Sequence, residues 1–222
     1  MNGIATAATW RGRQPQPGIA GSYGTDASCQ RGATARFAGR FCILTAIMIG
    51  KHNVFLVGPM GSGKTAVGKC LARLMGAPFY DSDAQIEQRT GVDITFIFEK
   101  EGEAGFRQRE REAIDALTQL EPIVLATGGG AVLLEENRRV LSARGFVVYL
   151  ETSVAQQKNR VRRSRNRPLL PDADPTVKLT ELMRYRGPLY VEVADIIVPT
   201  DGRRVGAVAA DIMRGLKERS DS

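Results

Sequence analysis

A glycine-rich loop with the sequence GPMGSGKT, residues 58–65, constrains this chain more than any other feature. The loop fits the pattern G-x-x-x-x-G-K-[ST], follows the apolar run 53–57 and precedes the amphipathic segment 64–75. Such glycines let backbone N–H groups turn inward around phosphate oxygens, and the N-terminus of a helix attracts anions. The context therefore predicts a strand, a loop that binds the phosphates of a nucleoside triphosphate, and a helix.

The end of this loop supplies the candidate nucleotide ligands. Lys64 should reach the β- and γ-phosphates, and the Thr65 hydroxyl should coordinate Mg²⁺. A glycine-rich structural turn is the alternative interpretation, although the flanking strand and helix favour phosphate binding. The candidate nucleotide-binding residues here are Gly61, Ser62, Gly63, Lys64, Thr65 and Ala66.

Two classes of nucleotide-binding protein lack their expected motifs in this sequence. A GTPase should carry N-K-x-D after a strand, and no such motif occurs. A motor ATPase should carry an apolar strand that ends in Asp-Glu, whereas the run 122–126 is followed by Thr127 and glycine. The absence of both motifs favours an enzyme that uses the nucleotide as a phosphoryl donor over a switch GTPase or a motor ATPase.

Five short apolar runs alternate with segments of helical periodicity. After the loop, Val67, Leu71 and Leu74 fall on one helical face, and Gly76 should end that helix. The alternation predicts an α/β fold with a parallel sheet and helices on both faces. In such sheets, ligands bind beyond the carboxyl ends of the strands. The runs are residues 53–57, 78–80, 122–126, 146–150 and 195–198.

Two aspartates follow the second run in the sequence DSD, residues 81–83. Their carboxylates can face the phosphates of the neighbouring loop. Asp81 is then a candidate for the magnesium site, and Asp83 for accepting the proton of an attacking hydroxyl. A helix N-cap at Asp81 or Ser82 is the alternative.

Arg107 and Glu110 lie three residues apart in FRQRE and therefore share a helix face. A surface ion pair is the alternative, and it is our interpretation of Arg109 and Arg111. The triple glycine Gly128–Gly130 follows the third run, where glycine permits close backbone approach of a ligand. A hairpin or a bulge is the alternative there.

Residues 160–175 carry five arginines, several prolines and few apolar residues. This composition predicts a mobile flap from which an arginine closes over the transferring phosphoryl group. Nucleic-acid contact or surface electrostatics is the alternative. Arg186 directly precedes Gly187-Pro188, where a helix should break or kink.

The first 47 residues contain five arginines against a single acid and sustain no periodicity. We interpret them as a disordered, dispensable leader, with Met48 as an alternative start and a targeting leader as the other possibility. No apolar run reaches the roughly 18 residues that a membrane span needs.

The cysteine and histidine content argues against several further classes of protein. Three cysteines without metal-like spacing favour a reducing compartment, and we expect a cytoplasmic protein. His52 is the single histidine, which argues against a His-based zinc site or a Ser-His-Asp hydrolase. The net charge of +7 is a weak basis for nucleic-acid binding, and we expect none.

The combined motifs resemble those of the shikimate kinase family. GPMGSGKT, DSD, FRQRE, GGG, RPLL and RGPLY follow that family's order and approximate spacing, from about Asn53 to the C-terminus. The resemblance implies a P-loop kinase domain, residues 48–222, built as a three-layer sandwich around a five-stranded parallel sheet of order 2-3-1-4-5. It also implies an acceptor-binding segment at 82–118 and a mobile lid at 160–175.

The activity implied is ATP-dependent phosphorylation of the 3-hydroxyl of shikimate in aromatic amino-acid biosynthesis, with ATP and Mg²⁺ as cofactors. Asp83 would bind the shikimate hydroxyls and act as the base. Arg107, with Glu110 beside it, would hold the shikimate carboxylate together with Arg186. Backbone N–H groups would come from Gly128, Gly129 and Gly130.

On the nucleotide side, the resemblance implies that Lys64 and Arg167 stabilise the transferring phosphoryl group. Arg160 would approach the adenine, and Arg203 is a further nucleotide-binding candidate. A gluconate or nucleotide kinase is the rival among enzymes, and a nucleotide-dependent regulatory protein is the rival outside them. We expect a monomer whose partner is the small-molecule substrate, with no membrane contact.

Overall fold

Five short strands form one parallel sheet in the computed structural model of the chain, which describes residues 53–162 and 175–220. Their order across the sheet is β2-β3-β1-β4-β5, which confirms the expected order 2-3-1-4-5. All four pairings are parallel. The strands are β1 (Val54–Val57), β2 (Phe79–Asp81), β3 (Val124–Ala126), β4 (Phe146–Glu151) and β5 (Ile196–Pro199).

Seven helices accompany the sheet within these residues. They are α1 (Lys64–Met75), α2 (Ser82–Thr90), α3 (Ile94–Thr118), α4 (Glu135–Arg144), α5 (Val154–Arg162), α6 (Pro175–Val193) and α7 (Val205–Ser220). Helices α1 and α7 pack on one face of the sheet, and α3, α4 and α6 pack on the other. The expected three-layer sandwich is therefore confirmed.

Strand β1 is buried on both faces, which explains its continuous apolar sequence. Val54 and Leu56 belong to the hydrophobic cluster that includes α1 and α7. Phe55 and Val57 belong to the cluster that includes α3, α4 and α6. This two-sided packing fixes the carboxyl end of the central strand, where the phosphate loop begins.

Helices α2 and α3 build a small core of their own, made of Ile86, Ile97, Phe106 and Ala113. Helix α3 is interrupted at Gly102, whose φ of 69° and ψ of −174° are not helical. Helix α3 therefore consists of two helical parts.

Helix α1 follows the predicted pattern except at Leu74, which is 38% exposed. Val67 and Leu71 are buried as expected, and Cys70 is buried beside them. The prediction was wrong at Leu74, because in the last turn of α1 it is Met75 that packs against the core.

A break or a kink was predicted at Gly187-Pro188; the break was wrong, because α6 continues through Pro188. Proline removes the N–H that would bond to the carbonyl of Arg184. Arg184 is an exposed residue, so water can replace that bond. Beyond the proline, Tyr190 and Val193 are buried and hold the end of the helix against the sheet.

Several predictions lie outside the described residues: those for the leader, for His52 and for Arg167. Most of the predicted flap lies there as well, while residues 160–162 form the end of α5 instead. None of the helices that the structure describes is long and apolar enough to cross a membrane.

Candidate active site

The phosphate loop joins β1 to the first residue of α1. Gly58 and Gly63 have φ angles of 140° and 95°, which favour glycine. A side chain at Gly58 would also lie 2.7 Å from the carbonyl oxygen of Leu150. Gly63 is the N-cap of α1 and, as a glycine, makes no side-chain cap hydrogen bond. The loop thus presents backbone donors at a helix N-terminus, as anion binding requires.

Two cationic side chains are held by carbonyl oxygens of this loop. The Nζ of Lys64 donates to the carbonyls of Gly58 and Pro59, at 2.7 and 2.9 Å. The guanidinium of Arg160 donates to the carbonyls of Gly61 and Ser62, at 2.8 and 3.2 Å. Their positive charges therefore lie where triphosphate oxygens would bind.

Arg160 also connects the loop to the end of β5. Its second terminal nitrogen donates to the carbonyl oxygen of Thr200 at 3.1 Å. The guanidinium therefore spans the phosphate loop and the segment after β5, on the nucleotide side of the site.

Asp81 is the N-cap that was considered as the alternative to a magnesium role, and its second oxygen faces the other metal candidate, Thr65. Its Oδ1 accepts hydrogen bonds from the backbone N–H groups of Asp83 and Ala84, so it is the N-cap of α2. Its Oδ2 accepts a hydrogen bond from the hydroxyl of Thr65 at 2.9 Å. The N-cap geometry is what directs this second oxygen toward the start of α1.

Thr65 and Asp81 together are a suitable oxygen-donor set for Mg²⁺. No group of three or more His, Cys, Asp or Glu side chains forms a metal cage in the part of the chain that the structure describes. Magnesium does not need one, because it keeps several waters and binds through one or two protein groups plus substrate phosphates. The residues present therefore fit a magnesium ion that arrives with the nucleotide.

Each member of the triple glycine is in close contact with a different part of the site. A side chain at Gly128 would lie 2.5 Å from Glu110 Oε1 and 2.8 Å from Asp83 Oδ1. One at Gly130 would overlap the guanidinium of Arg107. One at Gly129 would lie 3.3 Å from the backbone nitrogen of Met60, in the phosphate loop. The glycines thus make room for the protein's own side chains and loop backbone, while the predicted close approach of a ligand stays a prediction.

Arg107 and Glu110 form a buried ion pair rather than a surface one. Arg107 Nη1 lies 2.6 Å from Glu110 Oε2, and the Glu110 side chain is completely buried. Arg107 also contacts the exposed Glu103 at 3.1 Å. Arg109, by contrast, pairs with Glu101 at the surface, as expected.

Burial raises the pKa of Glu110 to about 7, and the nearby charge of Asp83 adds to this effect. Arg107 opposes the shift through its charge and its hydrogen bond. The ion pair accounts for only one carboxylate oxygen, because Oε1 of Glu110 is buried without a hydrogen-bond partner among the described residues. The carboxyl group therefore carries unused hydrogen-bonding capacity inside the site.

Two side chains of helix α6 contact the carbonyl oxygen of Gly129. Arg186 Nη1 lies 3.4 Å from the carbonyl oxygen of Gly129, and its buried Nε has no partner within the described residues. Tyr190 donates its hydroxyl to the same carbonyl at 2.5 Å. Glu110 and Arg186 thus both present an unpaired buried polar atom, as expected of groups that bind a ligand.

A single cleft of about 960 Å³ joins these groups. It brings together the loop, both aspartates, the ion pair, the glycines and two further arginines. The predicted site residues that line it are Gly61, Gly63, Lys64, Thr65, Ala66, Asp81, Asp83, Arg107, Glu110, Gly128, Gly129, Gly130, Arg160 and Arg186.

Two predicted residues do not line this cleft. Ser62 belongs to the loop, but its side chain is buried beneath it. Arg203 pairs with Asp211 at 2.5 Å and donates to the carbonyl of Pro199. That ion pair joins its guanidinium to α7.

The sequence interpretation missed two residues that hold the glycine segment. The hydroxyl of Ser82, completely buried, accepts a hydrogen bond from the backbone N–H of Gly128 at 2.9 Å. Tyr190 holds the carbonyl of Gly129. Both residues belong to quoted motifs, DSD and RGPLY, and their place within those motifs was the available signal.

Comparison with known proteins gives one consistent result. The family model for shikimate kinase matches residues 60–217. A shikimate kinase of Nitrosococcus oceani is 57% identical over 166 residues, which cover 75% of this chain and 87% of that protein. One of Haemophilus influenzae is 57% identical over 155 residues, covering 69% and 86%. The solved structure of shikimate kinase from Acinetobacter baumannii in complex with shikimate matches with a TM-score of 0.76 and 46% identity, covering 79% of this chain and 98% of that one.

The buried carboxyl of Glu110 predicts a specific pH dependence of stability. Its pKa rises from the ordinary 4.5 to about 7 on folding, so the folded state binds the proton more tightly. Stability that Glu110 contributes at low pH is therefore lost as pH rises through 7. Between pH 5 and pH 8, the free energy of unfolding should fall by about 2–3 kcal/mol relative to the Glu110→Gln variant.

Urea unfolding across this pH range measures the difference. Glu112→Gln, which changes an exposed carboxylate on the same helix, should keep the wild-type pH dependence. Parallel curves for wild type and Glu110→Gln would show that the Glu110 pKa is not raised.

Proposed function

The chain belongs to the shikimate kinase family, and we infer that its reaction is transfer of the γ-phosphoryl group of ATP to the 3-hydroxyl of shikimate. The observation that carries this inference is the single cleft that joins the phosphate loop to Arg107 and Arg186. Two guanidinium groups suit the carboxylate of a small acceptor, because they bind carboxylates through paired hydrogen bonds. A neutral sugar has no carboxylate with which these two guanidinium groups could pair.

On the donor side, Lys64 exchanges the carbonyls of Gly58 and Pro59 for phosphate oxygens. The backbone donors at the start of α1 receive the β-phosphate region. Thr65 and Asp81 would hold the magnesium ion, which would supply positive charge to offset that of the triphosphate. Arg160, beside the loop, is directed toward the nucleotide.

On the acceptor side, Arg107 and Arg186 bind the carboxylate. The unpaired Nε of Arg186 is a donor available for this purpose, and Glu110 fixes the orientation of Arg107. The backbone at Gly129 forms the wall between this carboxylate and the phosphate loop. Phe98 and Phe106, in contact at 4.6 Å between ring centroids, give the cleft an apolar side suited to a carbocycle.

Asp83 lies between the two halves, at Gly128, and lines the cleft. Its carboxylate orients the 3-hydroxyl and accepts the proton that this hydroxyl loses. The hydroxyl oxygen then forms the new bond to the γ-phosphorus while the bond to the bridging oxygen of ADP breaks. Positioning and charge stabilisation provide most of the rate enhancement in such reactions.

Other assignments rest on the sequence alone. Arg167 is proposed to close over the transferring phosphoryl group, and Arg203 remains a nucleotide-binding candidate only if its pair with Asp211 opens. A monomeric state, a cytoplasmic location and the absence of nucleic-acid partners also remain predictions.

The function is tested by comparing acceptors in one assay. Purified full-length chain with ATP and Mg²⁺ is supplied in parallel with shikimate, gluconate and nucleoside monophosphates, and ADP release is measured. We expect turnover with shikimate alone, because only shikimate combines a hydroxyl with a carboxylate on a carbocycle. Turnover confined to gluconate or to a nucleotide would overturn the assignment, and ATP binding without any transfer would favour a regulatory protein.

Replacing Asp83 separates catalysis from nucleotide binding. Asp83→Asn keeps the shape of the side chain but removes the proton acceptor, so kcat should fall about 100-fold or more. The Kd for ATP, measured by calorimetry, should stay within about twofold of wild type because the phosphate loop is unchanged. A variant with near-normal kcat would refute the role of Asp83.

Replacing Arg107 separates substrate binding from folding. Arg107→Lys keeps a positive charge beside Glu110 but loses the planar, paired hydrogen bonds of the guanidinium. The KM for shikimate should rise about tenfold or more, with the KM for ATP nearly unchanged. Arg109→Lys, on the same helix but in a surface pair, is the control and should behave as wild type. Equal effects of both variants would contradict the assignment.

A further inference from the structure

Tyr190 takes no part in the steps proposed above, yet it is bonded to Gly129, a residue that lines the cleft. Its side chain is 1% exposed and stacks on Tyr149, with ring centroids 5.1 Å apart. Its hydroxyl donates to the carbonyl of Gly129. Burial raises the pKa of this hydroxyl above its usual range, so it keeps its proton and remains a donor.

The Gly129 carbonyl has two observed donors, and they differ in quality. Tyr190 lies at 2.5 Å, whereas Arg186 lies at 3.4 Å, near the limit of a hydrogen bond. Tyr190 is therefore the group that determines the direction of this carbonyl.

The direction of this carbonyl matters because glycine flanks the peptide group on both sides. Gly129 and Gly130 lack the side chains that would restrict rotation of their shared peptide plane. A trans peptide is planar, so fixing the carbonyl also fixes the N–H of Gly130 on the opposite edge. Both residues line the cleft, and Gly129 packs against the phosphate loop at Met60.

Tyr190 and Arg186 also lie one turn apart on α6, on the same side of the helix. If the carbonyl lost the tyrosine hydroxyl, Arg186 would be the remaining donor within reach. A guanidinium drawn to the backbone in this way is less available to a carboxylate in the cleft. The Tyr190 hydroxyl thus affects both the orientation of the glycine backbone and the availability of Arg186 to the substrate.

We propose that Tyr190 is a positioning residue for the acceptor: its hydroxyl holds the peptide between Gly129 and Gly130 in the binding orientation and leaves Arg186 available to the shikimate carboxylate. This proposal rests on the function proposed above. Tyr190 itself does not contact the reacting atoms. Its action is confined to the acceptor half of the cleft, and the nucleotide half should be unaffected.

The test is Tyr190→Phe, with Tyr149→Phe as its matched control. Each variant removes one hydroxyl from the same stacked pair of buried rings, but only Tyr190 bonds to Gly129. The measurements are kcat, the KM values for shikimate and for ATP, the Kd for shikimate by calorimetry, and Tm.

In Tyr190→Phe, we expect the KM and the Kd for shikimate to rise about tenfold, because a buried carbonyl loses its donor and the wall of the acceptor site reorganises. The KM for ATP should stay within about twofold of wild type, and Tm should be close to that of Tyr149→Phe. Tyr149→Phe should bind shikimate as wild type does.

Three results would overturn the proposal. The first is a shikimate Kd within twofold of wild type in Tyr190→Phe. The second is an equal loss of affinity in both variants, which would assign the effect to the packing of the rings. The third is a Tyr190→Phe protein that loses its fold, or both substrate affinities together, since the hydroxyl would then serve general stability. Failure of the proposed function is distinguishable, because it appears already as a wild-type enzyme inactive on shikimate.

Discussion

The close packing at the end of β3 is the constraint on which the rest of the site depends. Gly128 leaves room for Asp83 and Glu110, Gly130 for the guanidinium of Arg107, and Gly129 for the phosphate loop. Because three side chains are missing in succession, the donor loop and the acceptor groups share one thin wall of backbone. Any methyl group at Gly128 or Gly130 would push a charged group of the acceptor side out of its position.

The fold could be predicted to a large extent because its signals are local. The apolar runs show which strands are buried on both faces, and the loop identifies the strand at the centre of the sheet. The errors arose where tertiary packing overrides a local preference. Pro188 does not break α6, because Tyr190 and Val193 beyond it are anchored in the core. Leu74 has the correct periodicity but lies in a last turn that uses Met75 for packing.

The site was predictable where a residue acts through its own charge, and less so where it acts through another group. Lys64, Arg107 and Glu110 carry charges whose spacing is visible in the sequence. The bond from Tyr190 to Gly129 joins residues 61 positions apart, and that from Gly128 to Ser82 joins residues 46 positions apart. In both pairs, the local sequence around one residue does not indicate that the other residue lies within hydrogen-bond distance. Arg203, predicted as a nucleotide-binding candidate, is paired with Asp211 in the structure, and its role stays a prediction.

The electrostatics of the cleft make sense only with an acceptor present. A buried ion pair such as Arg107–Glu110 gains little net stability, because desolvation offsets much of its attraction. Among the described residues, the second oxygen of Glu110 and the Nε of Arg186 are buried without a hydrogen-bond partner, and each such group costs roughly 1–3 kcal/mol. Both of these destabilising groups lie in the same cleft, which indicates that they serve to bind a ligand. A ligand carboxylate can accept a hydrogen bond from the Nε of Arg186, and ligand hydroxyls can donate to the carboxyl groups of Asp83 and Glu110 near Gly128. A small hydroxylated acid therefore supplies the hydrogen-bond partners that these buried groups lack in the folded protein.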